Sequence, residues 1–136
     1  MNYKETADLI KLKRQEKRNV FVCGNGGSAA NAEHFSNDLF AKGVRAHCLN
    51  SNTSIMTMIA NDYGYNEVFS KQVQVLAMPG DLVILLSCSG TSPNIIDVLE
   101  KIPTFIEKVK IFGGKGSFGD METEHLDLIH KICEDL

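Results

Sequence analysis

The sequence predicts a parallel α/β sheet covered by helices on both faces, and three observations carry that prediction. Apolar strand-like segments alternate with helix-like segments along the whole chain. Asp81-Leu-Val-Ile-Leu-Leu86 is a continuous apolar run, the pattern of a strand buried on both sides. Two turns rich in glycine or serine each stop a strand and open a helix at once, the arrangement of a ligand crevice in an open sheet.

The elements follow in order. Residues 4–17 are helical by composition, with Ala7, Leu9, Ile10 and Leu12 as apolar positions. The basic run Lys11-Leu-Lys13-Arg14-Gln-Glu-Lys17-Arg18 reads as the solvated face of that helix. A first strand covers 19–24, and a helix from Ser28 to about Ala41 follows. Val44–Leu49 is a short second strand. Helices are expected over 53–60 and 67–75, joined by the turn-rich Asn61-Asp-Tyr-Gly-Tyr-Asn66. Met78-Pro-Gly-Asp81 turns the chain into the buried strand 81–87. A helix over 92–101, a strand over 109–112, a loop over 113–119 and an amphipathic helix over 121–135 complete the chain.

With 136 residues, one domain (1–136) is expected, burying about two-thirds of its unfolded surface. The 43% hydrophobic and 23% charged content is ordinary for a soluble globular chain. A net charge of −3 and the absence of a long basic block give no electrostatic case for nucleic acid. No apolar stretch approaches membrane-spanning length, and polar residues follow Met1, so a cytoplasmic protein without membrane association is expected. Cys23, Cys48, Cys88 and Cys133 form no C-x-x-C pair and read as reduced thiols.

The chemistry concentrates in the two turns. In Cys23-Gly-Asn-Gly-Gly-Ser28, glycines let the backbone approach a ligand, and bare N–H groups at a helix start face an anion. Ser28 can cap the helix or donate its hydroxyl to a phosphate. No Lys-Ser/Thr follows, so this is not a P-loop, and it is not a dinucleotide G-x-G-x-x-G. The second turn, Ser87-Cys-Ser-Gly-Thr-Ser-Pro93, packs four hydroxyls into seven residues, with Ser92 suited to the cap and Pro93 to the first helical turn. His34 and Asp38, four apart, share a helix face; by spacing alone the ordinary reading is a surface pair, with an acid–base unit or two metal ligands as the functional alternatives. His130 lies in an apolar stretch where a core histidine is the default.

Together, Cys23–Phe35, Ala60–Asn66, Ser87–Asn94 and Glu122–His130 resemble the SIS (sugar isomerase) domain family, and within it the phosphoheptose isomerase branch. The resemblance implies a three-layer αβα sandwich with a flavodoxin-like parallel sheet. It implies a phosphorylated sugar bound at the sheet's C-terminal edge, with sites at subunit interfaces of a homotetramer or homodimer. On the matching positions, phosphate would sit on Ser28, Ser87, Ser89 and Ser92 with Cys88 and the backbone of Gly26 and Gly27. Asn25 and Asp62 would hold sugar hydroxyls. Asp38 and His130 would be the acid–base pair of an aldose–ketose isomerisation, which needs no redox cofactor. His34, Asp38, Glu122 and His130 would form a metal site, zinc by type.

Three positions depart from the branch pattern: Asp38 stands for Glu, Glu122 for Gln and Cys88 for Thr. Losing one methylene draws the carboxylate back by about 1 Å, a displacement that can cost about a hundredfold in rate. The segment between Phe112 and Met121 is short for the family's last edge strand, so a sheet trimmed to four main strands is expected. The competing function is a non-catalytic SIS protein that binds phosphosugar as a regulator or assembly factor. A nucleotide-binding domain is disfavoured, because no acidic residue ends the second strand and no Walker lysine is present.

Overall fold

The computed structural model describes residues 2–136; Met1 lies outside them. Four parallel strands, β1 (Asn19–Gly24), β2 (Arg45–Cys48), β3 (Leu82–Ser87) and β4 (Glu107–Phe112), pair in the order β2-β1-β3-β4. The expected four-stranded parallel sheet is therefore the observed one. Six helices cover it: α1 (Tyr3–Gln15), α2 (Gly27–Ala41), α3 (Thr53–Asp62), α4 (Ser70–Leu76), α5 (Pro93–Lys101) and α6 (Phe118–Glu134).

Alternation along the strands divides the core into two layers. Val20, Val22, Ile84, Leu86, Val109 and Ile111 face α1, α2 and α6, where Ile10, Phe35, Leu39 and Ile129 meet them. Phe21, Cys23, Val83 and Leu85 face the other way, against Ile59, Val73, Ile95 and Val98 of α3, α4 and α5. All six residues of β3 are buried, as a central strand with helices on both faces requires. No helix among the described residues is long and apolar enough to cross a membrane.

Local chemistry shifts several boundaries. Helix α6 starts at Phe118, not near 121, because Ser117 and Asp120 form a reciprocal capping box. Hydrogen bonds to the Ser117 backbone and side chain hold the Asp120 carboxyl below its usual range. Tyr65–Glu67 form a 3-10 turn, which delays α4 to Ser70. Lys13 is a correction: it is buried, not solvated. Its Nζ donates to Glu107 Oε1 at 2.6 Å and to the Gly80 carbonyl at 2.8 Å, tying α1 to the start of β4. Burial pushes the Cys23 thiol far up, and burial with the nearby Asp38 charge pushes Cys133 up to about 11.

Candidate functional site

The strand order places a switch point between β1 and β3, since β1 connects outward to β2 while β3 lies on its other side. Gly24 and Leu86 are register partners at the ends of these strands, so the turns that follow begin side by side. Gly24 has no room for a side chain: a Cβ there would stand 2.8 Å from both the Leu86 carbonyl oxygen and Ser28. Asn50 fixes the same residue from β2's side, accepting from Gly24 N–H at 3.2 Å and donating to Gly24 O at 2.8 Å.

The first turn passes through Gly26 at φ 57°, in the left-handed region, and α2 begins at Gly27. Gly26, not Ser28, is the residue before the helix, and no side chain caps it. Ser28 lies in the first turn, where the residue is 4% exposed and lines the cavity between the two turns.

In the second turn, Ser92 precedes α5 without capping it, and its Oγ lies 3.4 Å from Ser89 Oγ. The Ser87 hydroxyl oxygen accepts from Gly90 N–H at 2.9 Å and Ser89 Oγ from Thr91 N–H at 3.2 Å. Each can therefore still donate its O–H outward.

A cavity of about 110 Å³ opens between the turns. Asn25 and Ser28 line it from one side, and Ser87, Cys88, Ser89 and Ser92 from the other. Phe118 and Glu122 of α6 close it, and Cys88 Sγ–H donates to the Phe118 carbonyl at 3.6 Å. No lysine or arginine lines it and the Glu122 carboxylate does, so the groups in it that favour an anion are two helix N-termini and neutral donors.

A second cluster lies farther along α2. His34 Nε2 is 3.1 Å from Asp38 Oδ2 and 3.1 Å from His130 Nε2 on α6. One imidazole nitrogen carries either a proton or a lone pair, so His34 Nε2 cannot satisfy both neighbours at once. The three donor atoms lie within 4.8 Å of one another, close enough together to hold one metal ion. Two imidazoles and a carboxylate are the ligand types of a divalent transition metal. His130 is exposed beside His34, not a core histidine; the buried histidine of α6 is His125, whose Nε2–H donates to the Gly113 carbonyl at 2.6 Å.

The predicted residues thus fall into two groups. Glu122 belongs with the phosphate-sized cavity: its carboxylate lies over Gly27, where any Cβ would collide with it. It stands apart from the His34–Asp38–His130 group, eight residues before His130 on α6. Asp62 lines neither; it ends α3, hydrogen-bonded by Asn61 Nδ2 at 3.0 Å. Sequence reasoning missed Asn94 and Tyr65, which bind Asn25. The only signal for Asn94 was its place directly after the serine turn.

Comparison with known proteins identifies the family and the fold. The SIS domain family pattern matches residues 1–103. A phosphoheptose isomerase of Helicobacter pylori (strain ATCC 700392 / 26695) is 37% identical over 154 residues, covering 96% of this chain and 80% of the relative. One from strain HPAG1 is 41% identical, covering 85% and 72%. One from Bordetella avium is 39% identical, covering 78% of this chain, which spans only 58% of that relative's length. Among solved structures, a phosphoheptose isomerase from Neisseria gonorrhoeae superposes with TM-score 0.92 at 29% identity, covering 97% of this chain and 83% of that one. One from Francisella tularensis, at 23% identity, has TM-score 0.90 with coverage of 98% and 83%, and shares the fold. The three-layer αβα sandwich and the sequence matches lead to one conclusion: this chain belongs to the SIS domain family, in its phosphoheptose isomerase branch.

Proposed function

We propose that residues 1–136 form one SIS domain that isomerises a seven-carbon ketose phosphate, sedoheptulose 7-phosphate or a close relative, to its aldose through an enediol. The observation that carries this reading is the convergence of Ser28, from the turn after β1, and of Ser87, Ser89 and Ser92, from the turn after β3, on one cavity. Such a cavity grips a phosphoryl group with hydroxyls and helix N-termini. The sugar then extends along α2, whose next turns carry His34 and Asp38; Ser28 and His34 are six residues apart, about 9 Å of helix rise.

Isomerisation moves one proton between adjacent carbons and another between their oxygens. Asp38 and His130 are the pair for this work: one takes the carbon-bound proton and returns it to the neighbouring carbon, while the other relays the oxygen-bound proton. In a metal-loaded form His34, Asp38 and His130 would instead hold a divalent cation, zinc by donor type, which would supply Lewis acidity toward the sugar's oxygens in place of their proton relay. Asn25 contacts the sugar phosphate from the first turn.

An apolar groove supports assembly into a homo-oligomer. Ile55, Met58, Tyr63, Val75 and Leu76 line a cavity of about 300 Å³ between α3 and α4, with Val75 82% exposed. An exposed apolar patch of this kind marks a protein–protein surface.

The test is direct. Purified protein incubated with sedoheptulose 7-phosphate, with and without zinc, should yield the aldose phosphate. Binding without turnover under both conditions would replace the isomerase with a phosphosugar-binding regulator.

A further inference from the structure

The two anion-gripping turns come from different parts of the chain, and something must fix the distance between them. Adjacent strands set their starting points but leave the turns themselves free to move. Two side chains bridge the gap. Asn25 Nδ2–H donates to Asn94 Oδ1 at 2.8 Å, and Asn94 Nδ2–H donates back to Asn25 Oδ1 at 2.9 Å. Asn94 is 2% exposed, in the first turn of α5 and two residues after Ser92. Tyr65 Oη–H donates to the same Asn25 Oδ1 at 2.9 Å, adding the turn after α3 to the junction.

An asparagine amide offers two N–H donors and two acceptor lone pairs. On Asn25, Asn94 and Tyr65 take both lone pairs, and Asn94 takes one N–H. One N–H remains, on a side chain that lines the cavity. We propose that Asn94 is a positioning residue of the phosphosugar site, holding the two turns in register and leaving Asn25 a donor-only contact. Asn25 therefore meets an acceptor oxygen of the ligand, such as a phosphoryl or carbonyl oxygen, and accepts no hydrogen bond from it. This rests on the isomerase reading given above, and the brace itself can be examined without substrate.

The experiment compares wild type with Asn94→Ala, using Asn94→Ser in its place if the first variant does not fold. Amide hydrogen exchange of residues 25–29 and 89–92 is measured in the free protein, and kinetics with sedoheptulose 7-phosphate follow. Exchange in both turns should quicken about tenfold, and KM should rise about tenfold while kcat stays within about threefold. Inorganic phosphate should also bind about tenfold more weakly. Unchanged exchange overturns the brace, whatever the substrate proves to be. Faster exchange with unchanged KM and phosphate affinity overturns the positioning role. Faster exchange and weaker phosphate binding in a protein that converts no sugar support the brace and remove the isomerase reading.

Discussion

Asp38 meets His34 at 3.1 Å across one turn of α2, so a neighbour on the same helix holds its carboxylate. Replacing it with asparagine keeps shape but removes the basic oxygen. Asp38→Asn should lower kcat by about a hundredfold or more while KM changes little, read from progress curves with sedoheptulose 7-phosphate. Ser28→Ala removes one of the hydroxyls that line the cavity between the turns. Titration calorimetry with inorganic phosphate should show about tenfold weaker binding, the worth of one hydrogen bond to a charged group, with thermal stability unchanged. Ser28 was legible in the sequence because glycines precede it and a helix follows. Asn94 was not, because its partner Asn25 lies 69 residues away and no local pattern announces the pair.

The elements show a similar division. Strand β3 was readable from composition alone, since only a doubly covered strand tolerates six consecutive buried positions. The docking of α1 was hidden, because Lys13 sits within a basic run and its partner Glu107 is 94 residues on. Lys13→Ala should cost about 1–3 kcal/mol, measured by urea unfolding, because it leaves the Gly80 carbonyl and Glu107 short of a donor. Gly24→Ala should also destabilise, by about 1–3 kcal/mol, since the new methyl group meets the Leu86 carbonyl and Ser28. Its phosphate affinity should fall with it, because the same backbone carries the anion-binding turn.

For the molecule as a whole, the sheet ends at β4, whose free edge carries Glu107, Lys108 and Lys110. Charges along an open edge discourage pairing with another chain. Two buried thiols give the fold a pH limit. In the folded state Cys133 titrates at about 11 instead of its ordinary 9.0, and Cys23 higher still, so folding favours their protonated forms. That stability is complete below pH 9; the Cys133 share is lost as pH rises from 9 through about 11 and the Cys23 share goes on falling above it, so the urea midpoint should fall above pH 9 and not below it. What the sequence alone determined was the alternation of strands and helices, the buried central strand and the two turns that open α2 and α5. Each of these is a local pattern, fixed by the period of the backbone and the freedom of glycine. Tertiary structure decided the rest: that the turns share one cavity, that Glu122 faces it, that His130 meets His34, and that Asn94 bolts the turns together. Those contacts join residues dozens of positions apart, and they exist only because strand order sets β1 beside β3 and packs α6 across α2.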